Sequence, residues 1–252
     1  MTYCAAISVS AGIVFCSDSR TNAGMDQVST YSKMFKFESA PDRKFTVLAA
    51  GNLATTQATL AQLKKDIRQN ADINLHSVAT IGEAADYIGA VSRSQQEKHG
   101  KEGKEFEASF ILGGQIEGSH HRIVMIYPEG NHITSSKDTP YLQIGESKYG
   151  KPILDRIITL DTSLETAALS ALVSMDSTMR SNLTVGPPIE MLIYQADTFI
   201  LDNYHRFEED DEYLRELKKS WDSRLKEAFH QLPPLAWAQN WKKIADGNNG
   251  VY

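Results

Sequence analysis

The chain has 252 residues, of which 41% are hydrophobic and 23% charged, with a formal net charge of −6. This is the composition of a folded globular protein with one large domain, or one domain and an extension. An acidic balance without a basic stripe argues against nucleic acid or an anionic membrane as the main partner, and no apolar run is long enough to span a bilayer.

Two cysteines, Cys4 and Cys16, fit a reducing compartment, and inside strands they act as small hydrophobes. No basic segment followed by an apolar run opens the chain, so the expected location is the cytoplasm.

Residues 3–9 alternate as a strand, and Ser10-Ala11-Gly12 predicts a tight turn into "IVFCSDSR". Pairing across that turn sets the start of the first strand beside the end of the second, which brings Asp18 close to Thr2. "YSKMFKFES" alternates again, with Lys33, Phe35 and Phe37 on one face and Met34 and Lys36 on the other. "RKFTVLAAG" predicts a buried strand ending at Gly51. Two helices follow: one over "NLATTQATLAQLKKDIRQ" with Leu60, Leu63 and Ile67 in register, and one from Ser77 to Lys98 with Ser77 as its cap.

"KHGKEGKE" reads as a polar turn, after which "FEASFILGGQI", "HRIVMIYP" and "YLQIG" predict strands. Helical spacing returns at about 147–158 and 162–181. "IEMLIYQADTFILDNYHRF" predicts a closing hairpin. The last helix, "EEDDEYLRELKKSWDSRLKEAF", carries Leu214, Leu217, Trp221 and Leu225 on a stripe expected to face inward, with acidic residues favourably placed at its start. The order of elements predicts an α+β fold, a four-layer αββα sandwich of two antiparallel sheets between helix layers, with a C-terminal helical extension. The expected division is a domain over residues 1–207 and a helix-and-tail extension over 208–252. No dinucleotide fingerprint, P-loop or zinc-type spacing is present, and His120 and His121, adjacent in a strand, point to opposite faces.

Thr2 stands directly behind the initiator methionine. Methionine removal would place a free α-amine beside a hydroxyl, a recognised way to activate threonine as a nucleophile. Lys33, pointed to an apolar interior, needs a partner, and Asp18 is a plausible one, although Arg20 on the same strand face competes for it. Lys36 is one residue out of phase and reads as a solvated strand lysine.

The segments "SDSRTNAG", "LAAGNLATTQ", "IGESKYGKPILDR" and "SMDSTMRSNLTVGPP", in this order behind the initial threonine, resemble proteasome β-subunits and the wider N-terminal nucleophile hydrolases. Within these the sequence is most similar to the bacterial ancestral β-subunit (Anbu) branch, and the likeness covers about residues 2–200. The resemblance implies a threonine-type endopeptidase that needs no cofactor or metal. Thr2 would be the nucleophile and its own amine the base, with Lys33 lowering the amine's pKa, Asp18 holding Lys33, and Gly51 offering its backbone N–H to the oxyanion. Asp176 and Ser177 match the family's pair that orients the amine. Ser147 matches an assisting serine, although Gly145-Glu146-Ser147 departs from the usual Gly-Ser-Gly. The implied assembly is a homo-oligomer of ring-like stacks acting on peptides or unfolded proteins, with no motif naming an unfoldase partner. Two other readings stay open: a catalytically silent scaffold subunit, and an amidase of the same chemistry acting on small amides.

Overall fold

The strand Tyr3–Val9 (β1) turns at Ser10-Ala11 into Gly12–Asp18 (β2), pairing Cys4 with Ser17 and Val9 with Gly12. This is the hairpin that the alternation and turn residues predict. The chain is described from a computed structural model that covers residues 1–22, 28–38, 40–99 and 104–235. Two compact units are present, Met1–Asp211 and Glu212–Tyr252.

After β2 come two three-residue strands, β3 (Arg20–Asn22) and β4 (Val28–Thr30), paired as a ribbon. They are too short for alternation to reveal them. β5 (Met34–Phe37) is shorter than its predicted run, and β6 (Arg43–Gly51) matches its own. The Asn52 side chain accepts from Thr55 N and starts α1 (Leu53–Arg68), on which Leu60 and Leu63 are buried.

α2 spans Ile81–His99, so Ser77 is not its cap. Thr80 accepts from Glu83 N at 3.1 Å, and Glu83 reaches back to Ala79 N at 2.9 Å. This Thr-x-x-Glu pattern closes the helix start, while the Ser77 hydroxyl serves the preceding turn by accepting from Asn74 N. Of the predicted polar turn, residues 100–103 lie outside the described residues.

A short 3₁₀ turn at Lys104–Phe106 leads to β7 (Ala108–Ile116), β8 (Arg122–Ile126), β9 (His132–Thr134) and β10 (Tyr141–Gly145). α3 (Lys151–Ile157) and α4 (Leu164–Ser181) follow, then the hairpin of β11 (Ile189–Gln195) and β12 (Tyr204–Phe207).

All pairings are antiparallel. One five-stranded sheet runs β10-β1-β2-β11-β12 and the other β5-β6-β7-β8-β9. Cys4, Ala6, Phe15, Met34, Leu48, Ile111 and Leu192 fill the space between the sheets. Phe45, Val47, Phe110 and Leu112, on the other face of the second sheet, pack against Leu60, Leu63, Ala85 and Ile88 of α1 and α2. α4 lies against β1, β2 and β11, with α3 against α4. The result is the αββα layering, and it explains why β2 is buried along its whole length: both of its faces are covered.

The second unit begins with α5 (Glu212–His230), which has no buried residue. The expected inward stripe is therefore corrected: Leu225 is 54% exposed, and Leu214, Leu217 and Trp221 are only partly covered. Helical periodicity identifies an apolar face without showing what covers it. The tail from residue 236 lies outside the described residues. No described helix is long and apolar enough to cross a membrane.

Candidate active site

A cavity of about 520 Å³ opens at the end of both sheets, where β1 begins and β6 ends. Thr2, Lys33 and Gly51 line it, together with Phe35, Ala49 and Leu53. Each reaches it for a local reason. Thr2 is fixed by the edge pairing of β1 with β10: Tyr3 opposes Gly145, and Glu146 N donates to Thr2 O at 2.7 Å. Gly145 has φ +82°, and a Cβ there would lie 2.0 Å from Thr2 O. A side chain at position 145 would thus push the threonine out of place.

Lys33 sits one residue before β5, yet its carbonyl accepts from Ala49 N at 3.0 Å, so the β5–β6 ladder extends to it. Lys33 and Phe35 both line the cavity, as their shared face requires. The Lys33 Nζ donates to Asp18 Oδ1 at 2.7 Å and to Arg20 O at 2.6 Å. Asp18 has no exposed surface and Lys33 is 8% exposed.

Three further contacts hold Asp18. Oδ1 also accepts from Tyr3 N at 3.0 Å, Oδ2 accepts from Gly186 N at 3.3 Å, and Ile189 opposes it on β11. One carboxylate oxygen thus joins the ammonium of Lys33 to the peptide nitrogen that follows Thr2. Burial pushes the Asp18 carboxyl above its ordinary value, against the downward pull of Lys33 and the two backbone donors. Arg20 does not compete for Asp18: its guanidinium donates to Leu183 O and faces Glu209. Lys36 donates to Leu201 O and lies over the Tyr204 ring.

Gly51 closes β6 with φ +109°, where a Cβ would sit 2.4 Å from Glu107 O. By strand alternation its N–H is directed to the same edge as that of Ala49, past the end of β5. Gly51→Ala is expected to disturb this turn, costing roughly 1–3 kcal/mol of stability and about 10²-fold or more in any reaction that uses the N–H. Thermal melts beside a covalent labelling rate measure both effects.

The remaining predicted residues do not line the cavity. Ser177 donates to Val173 O within α4 at 2.9 Å, and the Asp176 carboxylate pairs with Arg180 at 3.2 Å. Ser147 N donates to Gly145 O and its carbonyl accepts from Lys151 N at the start of α3. Sequence reading passed over Glu146, which is buried beside Thr2 and accepts from Asn182 Nδ2 at 3.2 Å. It also passed over Glu190, 4% exposed, whose oxygens accept from Ser19, Ser32 and Tyr204. An acidic residue in the alternating run 189–195 was the available signal. No cluster of three or more His, Cys, Asp or Glu side chains among the described residues is arranged to hold a metal ion.

Comparison with known proteins gives a consistent result. The proteasome subunit family matches residues 2–194. The structure of Anbu (ancestral beta-subunit) from Yersinia bercovieri is 45% identical with a TM-score of 0.88, covering 92% of this chain and 98% of that one. The structure described as the helical assembly of the Anbu complex from Pseudomonas aeruginosa is 42% identical with a TM-score of 0.88, covering 94% and 99%. Anbu from Hyphomicrobium sp. strain MC1 is 41% identical with a TM-score of 0.86, covering 92% and 99%. No curated protein sequence matches.

Proposed function

The chain belongs to the proteasome subunit family, and on that premise we propose that it is a threonine-type peptidase whose nucleophile is Thr2 after removal of Met1. The observation that carries this reading is the buried Lys33–Asp18 pair at the cavity that Thr2 lines.

Once Met1 is gone, the Thr2 α-amine, with an ordinary pKa of about 8, takes the hydroxyl proton through a water. The Lys33 ammonium favours the neutral amine by repulsion of a second positive charge. Thr2 Oγ attacks the substrate carbonyl, and the Gly51 N–H faces the oxygen that gains the charge. The C–N bond breaks, and the leaving amine carries away the proton held by the α-amine. Water then hydrolyses the ester. While Met1 is attached, the Thr2 nitrogen is an amide and cannot act as the base. Phe35, Ala49, Ala50 and Leu53 give the cavity an apolar wall for a substrate side chain.

Asp176, Ser177 and Ser147 are assigned to orienting the amine only by their match to the family's motif; their side chains lie outside the cavity lining. The chain assembles with copies of itself, a reading supported by the helical assembly described for the Pseudomonas aeruginosa relative, and in this proposal the sites face a shared internal space. Its substrates are peptides or unfolded protein in the cytoplasm. In this reading residues 1–207, within the first unit, are the hydrolase domain and residues 208–252 are its extension.

The test is a peptide β-lactone, which acylates activated hydroxyls, followed by peptide mass mapping of the mature protein. A single adduct on an N-terminal Thr2 is the expected result. An adduct elsewhere, or an unmodified chain without Met1, sinks the assignment.

A further inference from the structure

Resting on the Thr2 reading, we infer that Glu190 is a positioning residue for the reaction, a carboxylate strut that sets Lys33 at its working distance from Thr2.

The segments Asp18-Ser19 and Tyr31-Ser32-Lys33 lie side by side and are joined in three ways. The first is the Lys33–Asp18 ion pair at 2.7 Å. The second is Tyr31 N donating to Ser19 O at 2.9 Å. The third is Glu190: Oε2 accepts from Ser19 Oγ at 3.1 Å, and Oε1 accepts from Ser32 Oγ at 3.0 Å. The carboxylate therefore bridges the residue after Asp18 to the residue before Lys33.

Three features indicate that the carboxylate itself is required here. Glu190 is 4% exposed on β11, with Ser17 opposite on β2 and Arg206 opposite on β12. A buried side chain of this kind is costly to hold unless its acceptors are filled. No described cation forms an ion pair with it; among the described residues its donors are the hydroxyls of Ser19, Ser32 and Tyr204, the last at 2.6 Å to Oε1. Hydroxyl donors to a charged acceptor make the stronger class of hydrogen bond.

The Ser32 hydroxyl also lies 3.0 Å from Met34 O, and it has a single proton. A carboxylate is the better acceptor of that proton, and Met34 N still donates to Ser32 Oγ at 3.3 Å. Ser32 is thus held from both sides, and the backbone entering Lys33 is fixed with it. Lys33 is tied to the β5–β6 ladder through its carbonyl, and the Glu190–Ser32 bond anchors the chain one residue before it. Without the anchor the ammonium would sample positions farther from the Thr2 amine. A displacement of about 1 Å in such a group can cost up to ~100-fold in rate.

Glu190→Gln tests this, because the amide keeps the shape but offers one acceptor oxygen where two are used. Ser32→Ala and Ser19→Ala each remove one donor and leave the carboxylate in place. All are compared with wild type, after Met1 removal, by the rate of β-lactone acylation of Thr2 across pH. Glu190→Gln and Ser32→Ala are expected to react about 10- to 100-fold more slowly. Their pH–rate profiles should move to higher pH, because a more distant ammonium lowers the amine's pKa less. A variant that melts earlier but keeps the wild-type rate and profile for its folded fraction overturns the role. Should Glu190→Gln fail to fold, the serine variants decide by the same criterion. An unreactive wild type overturns the Thr2 reading and this role together, whereas a reactive wild type with unchanged variants overturns this role alone.

Discussion

Thr2→Ala is expected to abolish covalent labelling and peptide turnover, a loss of about 10⁴-fold or more, to the chemical background. The folded state should hardly change. Thr2 is only partly buried and is tied into the structure through its carbonyl, which accepts from Glu146 N; alanine keeps that bond. Thr2→Ser retains the hydroxyl and the amine and should retain most of the labelling. A fluorogenic peptide panel beside a thermal melt measures both quantities. Turnover that persists in Thr2→Ala removes Thr2 from the mechanism and also disposes of the small-amide alternative that shares its chemistry. A wild type without Met1 that neither turns over peptides nor takes the label favours the silent scaffold.

The second large effect is expected at the Lys33–Asp18 pair. Lys33→Met leaves a carboxylate with no exposed surface facing an apolar side chain, and Asp18→Asn leaves a nearly buried ammonium without its counter-ion. Removing one partner of a buried pair costs about 3–5 kcal/mol, whereas replacing both by neutral groups of similar size is far better tolerated. The double variant should therefore recover much of the stability lost by either single one, while labelling of Thr2 stays lost in all three.

The Lys33→Met penalty should also depend on pH in a definite direction. Burial already raises the Asp18 carboxyl, and loss of Lys33 removes the main opposing influence. A carboxyl raised in the folded state favours folding while it is protonated, and that advantage is lost as pH rises through its folded pKa. The variant should be closest to wild type in mild acid and furthest from it in mild alkali. Urea titrations at the two conditions check this, and a penalty that grows on acidification sinks the account.

These experiments separate two properties that one ion pair combines. Stability depends on charge being matched inside the fold, and reaction depends on where the ammonium sits. Glu190 belongs with the second property, since it ties together the serine hydroxyls next to both partners without a hydrogen bond to either charge.

The sequence by itself determined the parts governed by short-range rules. Alternation and a Ser-Ala-Gly turn set the first hairpin, and the hairpin register alone brings Asp18 beside the start of β1. Helical spacing located α1 and α4, and the even phase of Lys33 with Phe35 identified the lysine that lines the cavity over Lys36. What escaped it was of two kinds. Three-residue strands such as β3, β4 and β9 are shorter than any period can resolve. The cap of α2 fell to Thr80 because a reciprocal Thr-Glu pair satisfies more of the helix start than Ser77 could.

The rest was decided by tertiary structure. Whether an apolar stripe is covered depends on what packs against it, so the α4 stripe is largely buried and that of α5 is not. Glu190 acquires its three hydroxyl partners only because β11 runs beside β2, over 150 residues of chain away from Ser19 and Ser32. Spacing along the chain encodes which face a residue takes. Which distant donors meet it there is fixed only when the sheet closes, because hydrogen bonds and charges act over a few ångströms of space, whatever the separation in sequence.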